Sequence, residues 1–229
     1  MLRALFFDAA GTLLHLTRSV GENYAEIARR FGANLDARDL DRAFHETWKK
    51  MPLRPPIDGP RPDDDKPWWR DLVDDVLARV PNVPANFDRA QFFDAAYAHF
   101  AEPGVWLLFP DVRDTLTELQ PRYRLFVVSN FDHRLRAILA DLGIADFFEQ
   151  IFLSSELGAD KPHPEIYQRA LRQSGLSVNE VCHIGDDPER DCRAAAGVGL
   201  HVFQLDRPRI SLRDLPAALR RLASSREVG

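Results

Sequence analysis

Residues 6–14 read Phe-Phe-Asp-Ala-Ala-Gly-Thr-Leu-Leu, and this stretch decides the fold. The apolar run predicts a buried strand that ends at the carboxylate of Asp8. Gly11 allows the backbone to turn sharply directly afterwards. Open α/β folds bind ligands at the carboxyl ends of their strands, so we expect Asp8 to lie in a ligand site. A carboxylate placed there can act as a nucleophile, as a metal ligand or as both.

Two hydrophobic patterns divide the rest of the chain. From residue 105 onward, apolar runs alternate with helical stretches, which favours a parallel sheet covered by helices. The predicted strands span residues 124–129, 150–154, 181–185 and 200–205. Residues 16–104 show helical spacing without a strand, and helices are predicted over residues 20–31, 39–51, 68–80 and 88–100. We therefore expect a Rossmann-like α/β core, residues 1–15 and 105–229, with an inserted helical cap, residues 16–104.

One part of the predicted cap, residues 52–67, is rich in proline and acid. It contains six prolines and the run Asp63-Asp64-Asp65. Proline lacks an amide donor and restricts the backbone, so this segment cannot form a regular helix. The composition favours an exposed, stiff connector. The alternative is a loop that reaches toward the core and contributes to specificity.

Three further segments with polar or charged residues occur later in the chain. They are Val127-Val128-Ser129-Asn130, Lys161-Pro162 with Pro164-Glu165-Ile166-Tyr167, and Ile184-Gly185-Asp186-Asp187-Pro188 with Asp191. Together with residues 8–13, they resemble the four motifs of the haloacid dehalogenase superfamily. Trp68-Trp69 and Ser129-Asn130-Phe131-Asp132 resemble in particular its branch called haloacid-dehalogenase-like hydrolase domain-containing protein 3.

The resemblance implies roles for the residues of these motifs. Asp8 would be the nucleophile, and Thr12 would bond to Asp8 or hold its loop. Ser129, Asn130 and Lys161 would bind the substrate, and Ser129 and Lys161 would also take part in catalysis.

The resemblance also implies a Mg²⁺ site. Asp8, the backbone carbonyl of Ala10 and Asp186 would be its ligands. Asp187 is a further, weaker candidate ligand, because an aspartate before Pro188 also suits a helix cap.

Ala10 is the one departure from the motif of the superfamily's phosphatases, which carry a second aspartate there as the general acid. Positioned acid–base catalysis contributes roughly 10²–10⁴-fold. The resemblance therefore implies a Mg²⁺-dependent phosphatase of a small phosphorylated metabolite that is slow on poor leaving groups. Asp132 and His133 are the nearest groups in sequence to replace the missing acid.

Two alternatives stay open because of Ala10. The first is cleavage of a carbon–halogen or carbon–phosphorus bond. Cleavage of a phosphonate would need a cap lysine, for which Lys49 and Lys50 are at a suitable distance in sequence from Asp8. The second is a non-catalytic protein that binds a phosphorylated ligand.

Composition restricts the partners and the compartment. The 229 residues carry a net charge of −5 without a dominant basic tract, which argues against nucleic-acid binding. No apolar run approaches the ~18 residues of a membrane span. Only Cys182 and Cys192 occur, so a reducing cytoplasm is the simplest setting. We expect a small-molecule substrate. A homodimer is compatible with an apolar cap surface but is not required by the pattern.

Overall fold

The computed structural model describes residues 1–224 and contains one large sheet and one two-stranded sheet. The strands are β1 (Ala4–Phe7), β2 (Leu14–Leu16), β3 (Trp106–Leu108), β4 (Arg124–Ser129), β5 (Gln150–Leu153), β6 (Val181–Gly185) and β7 (His201–Gln204). Strands β2 and β3 pair with each other. The other five form a parallel sheet in the order β5-β4-β1-β6-β7. The predicted α/β class and its strands are confirmed.

Ten helices accompany the strands in the described residues. They are α1 (Val20–Arg30), α2 (Ala37–Lys50), α3 (Lys66–Arg79), α4 (Arg89–His99), α5 (Val112–Leu119), α6 (Arg134–Asp141), α7 (Ser154–Leu157), α8 (Pro164–Ser174), α9 (Ala194–Val198) and α10 (Leu215–Ser224). The first four confirm the predicted helices to within two residues at each end. No helix in residues 1–224 has both the length and the apolar character needed to cross a membrane.

Strand β1 lies at the centre of the sheet, and this position brings the motifs together. Phe7 is in register with Val127 of β4 and with Ile184 of β6. All three strands run parallel, so the residues that follow them meet at the same edge. Phe6 and Phe126 pack edge to face with ring centroids 5.4 Å apart, and both are fully buried. The apolar interior of the sheet thereby supports a polar carboxyl edge.

Packing divides the chain into two units. Within the described residues, the core unit contains residues 1–15, 55–61 and 108–224, and the helical unit contains residues 16–54 and 62–107. This grouping differs from the predicted domains in residues 105–107, which pack with the helices, and in residues 55–61. We call residues 55–61 the strap. The strap is exposed at Pro55 and at residues 58–60, as predicted for a connector, but two of its amides bond to core carbonyls and Arg61 is buried.

The helical unit has its own apolar centre. Residues from four helices form it, among them Tyr24, Leu40, Val76 and Phe92, which are all buried. The helices begin where their caps predict. The Ser19 hydroxyl accepts from the Glu22 amide, and the Glu22 carboxylate accepts from the Ser19 amide. This reciprocal capping box satisfies two amides that the first turn of α1 leaves unpaired.

Candidate active site

The nucleophile loop follows β1 and packs closely against the loop after β6. The Asp8 amide donates to the Ile184 carbonyl at 2.8 Å. Gly11 has a φ of +93°, and a Cβ atom there would lie 2.5 Å from Oδ2 of Asp186. Glycine is therefore needed both for its conformation and for the approach of this carboxylate. The Thr12 hydroxyl donates to Asp186 at 3.3 Å, so it holds Asp186 and not Asp8.

Lys161 is the only cation in direct contact with Asp8 among the described residues. Its side chain is 3% exposed, and its Nζ lies 2.5 Å from Oδ1 of Asp8 and 2.6 Å from Oδ1 of Asp191. Burial opposes the charge of a lysine, but the two carboxylates outweigh this effect and raise the pKa of Lys161. The ammonium group therefore stays charged between two acids.

Three carboxylates converge around this one ammonium. Oxygens of Asp8, Asp186 and Asp191 lie within 4.8 Å of one another. Burial, together with the charges of Asp191 and Asp186, raises the pKa of Asp8 against the opposing effect of Lys161. Burial and Asp191 also raise the pKa of Asp186. One lysine does not balance this concentration of negative charge, so the site fits a divalent cation with oxygen ligands.

The three acids are not equivalent as metal ligands. Asp191 is buried, and its Oδ1 accepts from Lys161 and His183 while its Oδ2 accepts from the Asp187 amide. Lys161 and His183 outweigh the effect of burial and hold the pKa of Asp191 below its usual range. Asp191 therefore orients Lys161. Asp8 and Asp186 are left as the carboxylates suited to a metal.

Asp187 lies outside this group of three acids, which differs from the predicted ligand set. Its carboxylate accepts from the amides of Glu189 and Arg190, at 2.8 and 2.9 Å, and pairs with the Arg190 side chain at 3.1 Å. These bonds cap the wide helical turn Pro188–Arg193. The capping alternative accounts for this side chain, as expected for an aspartate that precedes a helical turn.

The loop after β4 contributes a hydroxyl and an amide. The Ser129 side chain is buried, and its hydroxyl forms no hydrogen bond within residues 1–224. It therefore suits a ligand oxygen. Both ends of the Asn130 amide bind the backbone of Lys161, with Nδ2 donating to its carbonyl at 2.8 Å and Oδ1 accepting from its amide at 2.7 Å. The Asn130 side chain thus holds the backbone of Lys161, and its predicted contact with the substrate stays a prediction.

Two residues that support the site were missed by sequence reasoning. His183 is fully buried in β6, and its Nε2 donates to Asp191 at 3.0 Å. Burial lowers the pKa of His183 in spite of this acid. Arg207 donates to the Thr12 carbonyl at 3.1 Å and to both oxygens of Asp111 at 3.0 Å. A histidine in an apolar strand was a signal for the first, but nothing local identifies the second.

Asp132, His133, Lys49 and Lys50 are the remaining candidates from the sequence. Asp132 is fully buried, and Arg134 donates to its two oxygens at 2.8 and 2.6 Å, so that carboxylate is engaged in an ion pair. His133 is exposed, and its proposed role as an acid stays a prediction. Lys49 and Lys50 are exposed in the last turn of α2.

Trp68 and Trp69 belong to the helical unit. Trp69 packs against the apolar centre of that unit and stacks on Trp48 with ring centroids 6.1 Å apart. The expectation that at least one of the pair is part of the cap core is confirmed.

Comparisons with known proteins agree with this geometry. A family model described as haloacid dehalogenase-like hydrolase matches residues 2–199. Haloacid dehalogenase-like hydrolase domain-containing protein 3 of Bos taurus is 34% identical over 211 residues, which cover 90% of this chain and 83% of that protein. The Rhythmically expressed gene 2 protein of Drosophila melanogaster is 32% identical over 216 residues, covering 87% of this chain and 81% of that protein.

Solved structures share the fold at lower identity. The putative HAD-hydrolase YfnB from Bacillus subtilis, bound to magnesium, superimposes with a TM-score of 0.72 at 20% identity, covering 95% of this chain and 98% of that chain. L-2-haloacid dehalogenase from Xanthobacter autotrophicus gives 0.67 at 21%, covering 90% and 78%. The family model covers the motifs at the edge of the sheet as well as the helical insert. This chain therefore belongs to the haloacid dehalogenase-like hydrolases.

Proposed function

We propose that this hydrolase is a Mg²⁺-dependent phosphatase that acts on a small phosphorylated metabolite through an aspartyl-phosphate at Asp8. The observation that carries the proposal is the convergence of Asp8, Asp186 and buried Lys161 at one edge of the sheet. A carboxylate beside the nucleophile repels an anionic substrate unless a cation is bound. Asp186 is therefore accounted for by a metal-dependent reaction better than by metal-free dehalogenation.

The side chains of this site account for two displacement steps. An oxygen of Asp8 attacks phosphorus, the bond to the ester oxygen breaks, and the leaving alcohol takes its proton from water. Water then attacks the aspartyl-phosphate, which releases phosphate and restores Asp8. Lys161 offsets charge beside Asp8 in both steps, and the Ser129 hydroxyl donates to a phosphoryl oxygen.

Asp8, Asp186 and the backbone carbonyl of Ala10 would hold Mg²⁺, which supplies positive charge that reduces repulsion of the phosphate. The Ala10 carbonyl accepts no hydrogen bond within residues 1–224, so it is available for this purpose. The missing aspartate would protonate the leaving group in the first step and activate water in the second, and only the first of these losses depends on the substrate. Acyl phosphates and aryl phosphates, whose leaving groups need little protonation, are therefore the favoured substrates.

Phosphate release in the presence and absence of Mg²⁺ tests this proposal. We would assay acetyl phosphate, p-nitrophenyl phosphate and an alkyl phosphate with the wild type, Asp8→Asn and Ala10→Asp. We expect metal-dependent turnover of the first two substrates and its loss in Asp8→Asn. Ala10 is exposed, so an aspartate fits there. It should raise turnover of the alkyl phosphate by about 10²-fold or more.

A matched pair of variants tests the metal ligands. Asp186→Asn should raise the Mg²⁺ concentration that gives half-maximal rate by more than about tenfold, because it removes a direct ligand charge. Asp187→Asn should leave that concentration nearly unchanged, because its carboxylate caps a turn. An equal effect of both substitutions would contradict this assignment and restore Asp187 as a ligand.

Ala10 also favours a second candidate function, the non-catalytic binding of a phosphorylated ligand. Saturable binding of a phosphorylated ligand with no wild-type turnover, but with turnover in Ala10→Asp, would establish it. Halide release from 2-chloropropionate, or acetaldehyde release from phosphonoacetaldehyde, would instead support carbon–halogen or carbon–phosphorus cleavage.

A further inference from the structure

The strap is attached to the loop that carries Lys161, although its neighbours in sequence on both sides belong to the helical unit. The Ile57 amide donates to the Gly158 carbonyl at 2.9 Å, and the Arg61 amide donates to the Ser155 carbonyl at 2.7 Å. Arg169 donates to the Ile57 carbonyl at 2.5 Å. Backbone bonds therefore hold the strap at two points along the segment that leads to Lys161.

Gly158 shows how closely the two backbones approach. A Cβ atom at this position would lie 2.2 Å from the Gly59 carbonyl oxygen and 2.7 Å from that of Ile57. Gly158 also ends α7 with a φ of +66°, a left-handed conformation that favours glycine. The core loop is thus shaped to receive the strap, and no larger residue fits at the contact.

Arg61 extends this attachment to the residue that precedes the lysine. Its guanidinium lies 2.6 Å from Oδ2 of Asp160, and the two side chains are only 7% and 14% exposed. On the other side of the turn, Asn130 binds the Lys161 amide and carbonyl. The backbone around Lys161 is consequently held by Asn130 and by the ion pair of Arg61 with Asp160.

We propose that Arg61 is a positioning residue, which places the Lys161 ammonium against Asp8 through Asp160. The inference rests on the proposed function, in which Lys161 offsets charge during displacement. The distance of 2.5 Å between Nζ of Lys161 and Oδ1 of Asp8 leaves the ammonium group little freedom to move. Misplacement of a catalytic group by about 1 Å can cost about 10²-fold in rate, so loss of the Arg61 attachment should act on kcat.

Steady-state kinetics with acetyl phosphate test the proposal on the full chain. Arg61→Met should lower kcat by about tenfold or more and change KM little, because the charge of Lys161 remains but is misplaced. Arg61→Lys keeps a cation and should recover most of the loss. Asp160→Asn should match Arg61→Met, and the double variant should be no worse than either single variant, because both remove one interaction.

Arg54→Met is the matched control. Arg54 pairs with Asp65 within the helical unit, at 2.5 Å, and these side chains are 20% and 9% exposed. The control removes a similar ion pair without a link to Lys161, so kcat should stay at the wild-type value. An equal loss of kcat in Arg54→Met, or additive losses in the double variant, would overturn the proposal.

Hydrogen exchange separates this inference from the proposed function. The amides of residues 158–161 and 163 should exchange faster in Arg61→Met than in the wild type or Arg54→Met, whether or not the protein turns over phosphorylated substrates. A wild type without turnover but with this pattern would reject the proposed function and keep the attachment. Unchanged exchange in Arg61→Met, or in Asp160→Asn if the first variant does not fold, would overturn the inference.

Discussion

The carboxyl edge of the sheet and the centre of the helical unit are both buried, but different forces hold them. Lys161, Asp8 and Asp191 have side chains that are at most 10% exposed, and Lys161 stabilises the two carboxylates, which repel each other. The helical centre is instead apolar, with Tyr24 and Phe92 in edge-to-face contact at 5.6 Å. Apolar packing tolerates volume-conserving changes, whereas removal of one buried charge leaves its partner unpaired.

This difference indicates in which region a substitution can change stability without changing catalysis. At the sheet edge the same contacts serve both, because Lys161 neutralises the buried acids and would also offset charge beside Asp8 during catalysis. In the helical centre the contacts contribute to folding and involve no reacting group. Substitutions in the two regions should therefore change turnover and the free energy of unfolding in different proportions.

Replacement of Lys161 should have the largest effect on both stability and turnover. Lys161→Met leaves Asp8 and Asp191 buried without their cation, which should destabilise the fold by about 3–5 kcal/mol. Phosphate release should also fall by about 10³-fold or more, in line with loss of a central catalytic group. Urea unfolding and initial rates with acetyl phosphate measure the two effects.

The comparison for this variant is Arg136→Met. Arg136 pairs with Glu156 at the surface, where the side chains are 45% and 41% exposed. Exposed pairs contribute about 0–1 kcal/mol, so this change should be small. A destabilisation by Lys161→Met no larger than that of the surface variant would show that the charges at the sheet edge are not interdependent.

Truncation in the helical centre should affect stability alone. Phe92 is fully buried, so Phe92→Ala should lower the free energy of unfolding by about 3–5 kcal/mol through the cavity that it creates. At temperatures where the variant remains folded, kcat should stay close to that of the wild type. Phe92→Leu, which keeps most of the volume, should cost less than about 1.5 kcal/mol.

The temperature dependence of both activity and circular dichroism checks this expectation. Loss of kcat in a folded Phe92→Leu variant would contradict the separation of the two regions. It would assign the helical centre a direct influence on the reaction.

The ion pair of Asp111 with Arg207 should make the free energy of unfolding depend on pH. Burial opposes ionisation of Asp111, but Arg207 outweighs it and lowers the pKa of the carboxyl. Asp111 therefore contributes stability above its ordinary pKa of 3.8, and this contribution is lost as pH falls through the lower folded-state value. Asp111→Asn should cost about 1–3 kcal/mol at pH 7 and progressively less in acid.

Urea unfolding from pH 7 down to about pH 2 measures this trend, with exposed Asp71→Asn as the control. A destabilisation by Asp111→Asn that is independent of pH would assign the effect to packing and not to the charge. Arg207 also holds the Thr12 carbonyl, so a fall in turnover is expected to accompany the loss of its partner.

Much of the fold was predictable because its signals are local. Strands at 124–129 and 181–185 were predicted at both ends, since each is a short apolar run followed by a polar or glycine-containing turn. The helices of the insert followed from apolar spacing and from caps such as Ser19. The packing of the strap on the core unit was not predicted, because a proline-rich segment carries no local sign of where it packs.

The residues of the candidate site were largely predictable, but the hydrogen bonds and ion pairs that join them were less so. Asp8 and Asp186 were identified as polar residues after predicted strands, and Lys161 was identified from the resemblance of its segment to a superfamily motif. The structure brings all three together. The bonding of Asn130 to Lys161, and of Arg207 to Asp111, joins residues 31 and 96 positions apart. No hydrophobic period or short motif encodes pairings over such distances.

The sequence by itself determined which chemical groups stand at the ends of the strands and that alanine occupies position 10. These properties are local, because side-chain identity and hydrophobic period depend on neighbours along the chain. The cap at Asp187 was one of two roles that its sequence position allowed. The roles of Asp191, which orients Lys161, and of Arg61, which bonds to Asp160, depended on tertiary structure. The physical reason is that a buried polar group must find a partner, and its partner is settled only when distant segments pack together.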